Sequence, residues 1–264
     1  MKLSISQMAW NQTDNIKVLA YLKTQNFQGI EVLPTMVVKD NPYGSLEEAV
    51  IFQQKLAREY SLEISSMQSL IYGRRENLFG TDEEREVLLN YLQKAILFAN
   101  KINCPNLVFG SPKNRLIGKV TKEKEQKAYS FFKKLGDFAY EHKTFFSLEA
   151  NPAIYGGDYL LTTKQALDVV KEVNSPGFCL NLDLGAVIEN KESLDFLQKK
   201  IDLVNHIHIS EPFLAKIKPR TLHQELAEIL RKLNYEKYVS IEMKNLKNFE
   251  TTKKVIEYIK EVFG

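Results

Sequence analysis

The stretch Asn205-His206-Ile207-His208-Ile209-Ser210-Glu211-Pro212 combines the alternating pattern of a β-strand with two histidines, and it ends at a carboxylate before a proline. Side chains alternate across a strand, so His206 and His208 share one face while Ile207 and Ile209 share the other. Ionisable groups on an otherwise apolar strand need a functional or structural reason. The stretch therefore indicates where a functional site is to be sought.

Three further strand-like runs carry a single acidic residue at or near their C-terminal end. These residues are Glu149 in the run 145–149, Asp183 in the run 178–183 and Glu242 in the run 239–242. The repetition of one pattern on several strands indicates a shared role.

Short β-rich runs alternate with longer helical patterns along the whole sequence. Strands are predicted at 2–10, 29–33, 62–68, 106–110, 145–149, 178–183, 205–212 and 238–243. Helices are predicted at 13–25, 45–60, 81–101, 121–141, 162–174, 191–200, 221–233 and from 248 onward. Eight such units match a closed parallel barrel better than an open doubly wound sheet. Since no linker divides the chain, we predict an α/β fold with a single (β/α)8 TIM-barrel domain over residues 1–264.

Composition excludes several classes of protein. Hydrophobic residues make up 44% and charged residues 26%, as in a soluble globular protein. The net charge of +3 is too small to imply a broad polyanion-binding surface, so nucleic acid is not an expected partner. We find no signal peptide and no apolar run near the roughly 18 residues that span a bilayer, so no membrane association is expected. Cys104 and Cys179 are too few and too far apart for a disulfide framework or a zinc knuckle, which favours a reducing cytoplasm.

Four of the residues above are expected to converge. In a TIM barrel the active site lies at the C-terminal ends of the strands, and consecutive strands are neighbours. Glu149, Asp183, His208 and Glu242 fall there on strands five to eight, at sequence gaps of 34, 25 and 34. Three carboxylates so close would raise each other's pKa unless a cation lay among them. The donor set predicts a divalent metal ion, Mn²⁺, Mg²⁺ or Co²⁺, with Zn²⁺ also compatible.

The same segments resemble the metal-ligand segments of the sugar phosphate isomerase/epimerase superfamily, the xylose isomerase-like TIM barrels. The matching segments are Leu148-Glu149-Ala150-Asn151-Pro152, Leu182-Asp183, His206-Ile207-His208-Ile209-Ser210-Glu211 and Ser240-Ile241-Glu242-Met243. Gly29-Ile30-Glu31 and Val108-Phe109-Gly110-Ser111, with Arg115 beyond, resemble other recurring segments of the group. The resemblance covers the whole chain.

The resemblance implies a divalent-metal enzyme, an isomerase or epimerase of a sugar or sugar phosphate, that moves a proton beside a carbonyl through an enediolate. Glu149 and Glu242 would hold the metal and act as the acid/base pair. Carboxylates on opposite faces of the substrate give epimerisation, and action on one face gives aldose–ketose exchange. Barrels of this kind often pair, so a homodimer is compatible with the resemblance.

Two positions depart from the commonest pattern of the family. The acid after strand six is usually followed three residues later by a histidine, whereas Asp183 is followed by Leu184-Gly185-Ala186. An arginine is often found a few residues beyond the strand-seven histidine, where this chain has Leu214. Because both positions usually contact substrate, the metal site is inherited more firmly than the reaction.

The predicted substrate-binding residues are polar groups near strand ends: Arg115, His206, Glu211, Gln68, Asn151 and Lys244. Two of them have alternative roles, since His206 can be a packed core histidine and Glu211 can either fix the tautomer of His208 or form a loop ion pair. Glu31 is a further candidate for hydroxyl recognition. Basic residues follow strands three, four and seven and could bind a phosphate, a nucleotide-linked sugar or a uronate: Arg74, Arg75, Lys113, Arg115, Lys216, Lys218 and Arg220.

Three other functions are alternatives to this one. A metal-dependent keto-sugar or inosose dehydratase or lyase begins with the same proton abstraction. An endonuclease IV-like nuclease would need more histidine ligands than the four histidines of this chain supply. A non-catalytic sugar-binding barrel would have no need of two apposed carboxylates such as Glu149 and Glu242.

Overall fold

Eight parallel strands close into a barrel in the computed structural model, which describes residues 1–264. Each strand pairs with the next along the chain, and β1 pairs with β8 through registers such as Leu3 with Val239. The strands are β1 Lys2–Ser6, β2 Gly29–Val32, β3 Glu63–Met67, β4 Asn106–Phe109, β5 Phe145–Glu149, β6 Phe178–Asp183, β7 Val204–Ile209 and β8 Tyr238–Ile241. The predicted TIM barrel is confirmed.

One principal helix follows each strand and packs against the outside of the barrel. These helices are α1 Asn15–Thr24, α2 Leu46–Lys55, α3 Asp82–Lys101, α4 Lys122–Glu141, α5 Thr163–Val173, α6 Leu184–Asn190, α7 Thr221–Lys232 and α8 Phe249–Phe263. Thr81 and Thr162 begin α3 and α5 with capping boxes, in which the threonine and the third helical residue bond each other's backbone N–H. None of the helices is both long and apolar enough to cross a lipid bilayer.

The helix after β6 differs from the prediction. We expected it at 191–200, but α6 begins directly after the strand at Leu184, and only a short helical turn, Leu197–Lys200, lies in the predicted range. The side chain of Asp183 accepts a hydrogen bond from the backbone N–H of Ala186 at 2.6 Å and so caps α6. The last residue of the strand is therefore also the N-cap of the helix.

The core outside the barrel is apolar, whereas much of the barrel interior is polar. Asn106 on β4 lies at the centre of a buried network: its Oδ1 accepts hydrogen bonds from Asn205 on β7 at 2.7 Å and from Ser147 on β5 at 2.6 Å. Its Nδ2 donates to Ser66 on β3 at 3.0 Å. Because β4 and β7 are not neighbours, the bond between the two asparagines crosses the interior. Side chains from four strands are thereby tied together.

Candidate metal centre

The four predicted metal ligands meet at the C-terminal mouth of the barrel. Glu149 and Asp183 end β5 and β6, His208 lies near the end of β7, and Glu242 directly follows β8. One donor atom from each lies within 4.8 Å of the others. Nδ1 of His208 lies 3.0 Å from Oε1 of Glu149 and 3.3 Å from Oε2 of Glu242. The geometry matches the convergence expected from strand position.

Electrostatic conflict marks this cluster. Burial, together with the charges of Glu149 and Glu242, raises the pKa of Asp183 from 3.8 to about 8. Burial also raises the pKa of Glu242. Burial alone would lower the pKa of His208, but the carboxylates of Glu31 and Glu242 raise it well above its ordinary value. Without a metal ion, bound protons thus offset the negative charge of the carboxylates. Three carboxylate oxygens with one imidazole nitrogen also fit a divalent ion in the same place.

Glu31 on β2 contacts the nitrogen of His208 that faces away from Glu149 and Glu242. Its Oε2 lies 2.9 Å from Nε2 of His208 and 3.3 Å from Nε2 of His206, and its side chain is fully buried. A carboxylate on the far nitrogen of a ligating imidazole fixes the ring and leaves the other nitrogen free for metal. The expectation that Glu31 recognises substrate hydroxyls does not match this position, and Glu31 rather than Glu211 holds His208.

Side-chain amides orient the two glutamates. Glu149 accepts hydrogen bonds from Nδ2 of Asn181 at 2.7 Å on one oxygen and from Nδ2 of Asn151 at 3.0 Å on the other. Glu242 accepts one from Nε2 of Gln68 at 3.1 Å. Each carboxylate therefore has a defined rotamer before any ligand arrives, as a preorganised site requires.

Asp183 is held by two donors of different kinds. One oxygen receives the backbone N–H that starts α6, and the other receives the hydroxyl of Ser210, which also accepts the N–H of Gly185 at 2.7 Å. A Cβ atom on Gly185 would lie 2.9 Å from Oγ of Ser210, so glycine permits this close approach. The segment that departs from the family pattern thus serves to position Asp183.

A cavity of about 610 Å³ opens above the cluster. Its walls include Glu149, Asp183 and Glu242, so three of the four predicted metal ligands are accessible from it. Its lining also includes three of the predicted substrate-binding residues: Gln68, Asn151 and Glu211. The size is within the range of pockets that enclose small molecules.

The other three predicted substrate-binding residues, His206, Lys244 and Arg115, do not line the cavity. His206 is 1% exposed and lines a different cavity at the opposite end of the barrel. Lys244 is exposed, and its backbone N–H donates to the carbonyl of Leu214 at 2.8 Å. Glu211 does line the cavity, but Arg220 donates to both of its oxygens, at 2.7 and 2.5 Å.

Arg115 lies behind the site instead of in it. It has no exposed surface, and its Nη2 donates to the carbonyl of Glu149 at 3.0 Å and to Oδ1 of Asn151 at 2.8 Å. Burial lowers its pKa to about 10. A guanidinium in this place can position the end of β5, and it does not line the cavity.

Sequence reasoning missed Asn181 as a residue of the site, and for Tyr155, a candidate for an apolar wall against a sugar ring, it missed the contact with Phe213. Asn181, which contacts both Glu149 and His208, lies two residues before Asp183 and so shares its strand face, a signal that the period of two could have given. Tyr155 lines the cavity and accepts the backbone N–H of Phe213 at 2.8 Å. No sequence pattern distinguishes that contact between loops.

Comparisons with known proteins agree with this architecture. The family model described as xylose isomerase-like TIM barrel matches residues 19–262. No curated protein matches the chain significantly. Among solved structures, D-psicose 3-epimerase in the presence of D-fructose has a TM-score of 0.80 at 15% identity, with all of both chains covered.

Two further structures are similar. The 3-keto-D-glucoside 4-epimerase YcjR from E. coli has a TM-score of 0.78 at 17% identity, with 99% of each chain covered. The IOLI protein with a bound zinc atom has a TM-score of 0.73 at 14% identity, with 100% of each chain covered. At these identities the likeness establishes the fold.

Proposed function

Because the chain belongs to the xylose isomerase-like TIM barrels, we propose that it is a divalent-metal-dependent enzyme that isomerises or epimerises a sugar or sugar phosphate. One observation carries the proposal: two cavity-lining glutamates, from the non-adjacent strand ends of β5 and β8, approach the same imidazole nitrogen of His208. Proton transfer at a carbon beside a carbonyl needs such a pair of positioned carboxylates.

Glu149, Asp183, His208 and Glu242 would hold the ion. When bound, a divalent ion there would polarise a carbonyl oxygen and a neighbouring hydroxyl and make the intervening C–H more acidic. The protein's own part is to present Glu149 and Glu242 to that carbon. Asn181, by holding one oxygen of Glu149 at 2.7 Å, keeps that carboxylate pointed toward the cluster.

The two glutamates would divide the proton transfer between them. One carboxylate removes the proton from carbon, and the proton returns from the other carboxylate or from the same one. If the proton returns to the opposite face of the same carbon, the configuration at that carbon is inverted and the product is an epimer. If the proton returns to the neighbouring carbon, the product is an aldose or ketose isomer. Gln68, which donates to Glu242 at 3.1 Å and has an oxygen without a hydrogen-bond partner in the protein, is placed to meet a substrate hydroxyl.

A keto-sugar or inosose dehydratase remains the main alternative, because loss of water can follow the same proton removal. An endonuclease IV-like function is disfavoured by the placement of the histidines. Only His208 contacts the carboxylate cluster; His206 lies behind Glu31, His142 follows α4, and His223 is buried in α7.

The proposal is tested by solvent exchange. Chelator-treated protein is reloaded separately with Mn²⁺, Co²⁺, Mg²⁺ and Zn²⁺ and incubated with a panel of ketoses and aldoses in D₂O. Deuterium incorporation beside the carbonyl is measured by NMR, epimers by ion chromatography, and water loss by ultraviolet absorbance. We expect incorporation with epimer or isomer formation, and loss of water without a new sugar would favour the dehydratase.

Replacement of either carboxylate supplies the decisive comparison. Glu149→Gln and Glu242→Gln should each lower the exchange rate by about 10²-fold or more, since general acid/base catalysis contributes on that scale. Glu63→Gln, which alters an exposed carboxylate on β3 that pairs with Lys2 at 3.2 Å, is the matched control and should exchange normally. Undiminished exchange in both cavity variants would exclude the proposed mechanism.

A further inference from the structure

Charge is segregated along the walls of the active-site cavity. All of its acidic residues lie on the side formed by β5 to β8: Glu149, Asp183, Glu211 and Glu242. Both of its cations, Arg74 and Lys113, lie on the other side, in the loops that follow β3 and β4. No lining residue from 68–74 or 108–114 is acidic. The cavity therefore has an acidic lobe at the metal centre and a basic lobe opposite.

Only one of the two cations is free to bind a ligand. The guanidinium of Arg74 is held by Glu76, with one bond of 3.0 Å from Nε, and it lies 4.3 Å from the centre of the Tyr91 ring. Lys113 is exposed and forms no ion pair within the protein. Its ammonium is thus the unpaired positive charge of the basic lobe.

Two serines add donors beside that charge. Ser69 and Ser111 both line the basic lobe, and both adopt the left-handed backbone region, with φ of 55° and 48°. Neither hydroxyl is used by a hydrogen bond within the protein. The basic lobe therefore offers two short neutral donors in addition to the ammonium of Lys113.

The two lobes are close enough for one small molecule to bridge them. A Cβ atom on Gly110 would lie 2.7 Å from Oε2 of Glu149, so the end of β4 touches the acidic cluster. Lys113 follows three residues later, and three residues span at most about 11 Å. The segment Pro112–Arg115 is also helical, which shortens that span. A pentose or hexose with one terminal substituent bridges such a distance.

We propose that the substrate is an acidic sugar, whose carbonyl and hydroxyl enter the acidic lobe and whose phosphate monoester or carboxylate binds Lys113 at the other end. This inference rests on the proposed function. An anion on an ammonium gains a charge-assisted hydrogen bond, and the carboxylates opposite repel the same anion. The segregated charges therefore fix which end of the sugar reaches Glu149 and Glu242.

The test uses three ligands that differ only at the end remote from the carbonyl: D-fructose, D-fructose 6-phosphate and D-fructuronate. Their dissociation constants are measured by calorimetry on metal-loaded protein, for the wild type, Lys113→Gln and Lys113→Arg. Lys119→Gln, which removes an exposed charge outside the cavity, is the matched control. Each titration is repeated at higher salt.

We expect at least one of the two acidic ligands to bind about tenfold or more tightly than D-fructose, and the stronger of them identifies the anion as phosphate or carboxylate. Lys113→Gln should remove the preference, Lys113→Arg should keep most of it, Lys119→Gln should leave it unchanged, and salt should weaken it. Equal binding of all three ligands, no binding of any of them, or a preference that survives in Lys113→Gln would overturn the inference. The binding test does not depend on turnover, so it can fail independently of the proposed function. If neutral sugars incorporate solvent deuterium and acidic sugars do not, the proposed function is upheld and the acidic substrate is refuted.

Discussion

Glu31 should control how tightly the site holds its metal, although it is not one of the predicted ligands. In Glu31→Gln the side chain keeps its shape but loses its charge beneath His208, which it contacts at 2.9 Å. A hydrogen bond to a charged group contributes about 1.5–3 kcal/mol and a neutral one about 0.5–1.5. The difference of about 1–1.5 kcal/mol corresponds to roughly tenfold weaker metal binding. The loss approaches about 100-fold if the amide turns its nitrogen toward the imidazole, the upper end for partners of ligating histidines.

The measurement is calorimetric titration of Mn²⁺ into chelator-stripped protein at fixed pH and salt, with elemental analysis of the protein as purified. Glu63→Gln removes a carboxylate whose side chain is 63% exposed, and it should bind Mn²⁺ like the wild type. Circular dichroism checks that both variants are folded. If Glu31→Gln binds Mn²⁺ within twofold of the wild type, the support of His208 from behind has no energetic importance and the reasoning fails.

Two further predictions concern the carboxylate cluster and its scaffold. Metal-free protein should lose stability as pH rises from about 4 to about 8. The pKa of Asp183 is raised to about 8 in the native state, so over this range the native state keeps a proton that the unfolded chain has released. This one group changes the free energy of unfolding by at most about 1.4 kcal/mol per pH unit. Urea unfolding at several pH values should therefore show a flatter dependence on pH in Asp183→Asn than in the wild type. Parallel pH profiles would contradict the assignment. Arg115→Met should lower kcat by about tenfold or more with little change in KM, since misplacing a catalytic group costs rate, and Arg115→Lys should recover part of it. Steady-state kinetics with metal analysis check this, and a change confined to KM would indicate contact with substrate instead.

The barrel could be predicted because its signal repeats. Eight runs of strand-forming residues each precede a helical pattern, and Glu149, Asp183, His208 and Glu242 each stand at a strand end, so adjacency in a closed sheet brings them together. The start of α6 was missed because Gly185, a poor helix former, lies only two residues after the end of the strand. The helix forms there because Asp183 caps it, a contact that no propensity describes.

The support of the site depends on contacts that a single sequence does not reveal. Glu31 and Glu211 are both carboxylates near strand ends, and only the packing of β2 opposite β7 decides that Glu31 meets His208 while Glu211 meets Arg220. Arg115 follows β4 in what reads as an exposed basic loop. The left-handed turn at Ser111 precedes its helical segment, and the side chain ends up fully buried against β5.

The asparagine-centred network inside the barrel has a consequence for the accuracy of strand alignment. Branched apolar side chains would fill the same space in more than one vertical offset of the strands, because dispersion contacts have little directionality. Amide and hydroxyl groups satisfy one another in one offset only, and a strand displaced by two residues would leave the Oδ1 of Asn106 without its donors from Asn205 and Ser147. The network thus fixes the register of the strands. It thereby also fixes the positions of the strand ends at the mouth of the barrel, where a misplacement of one ångström matters.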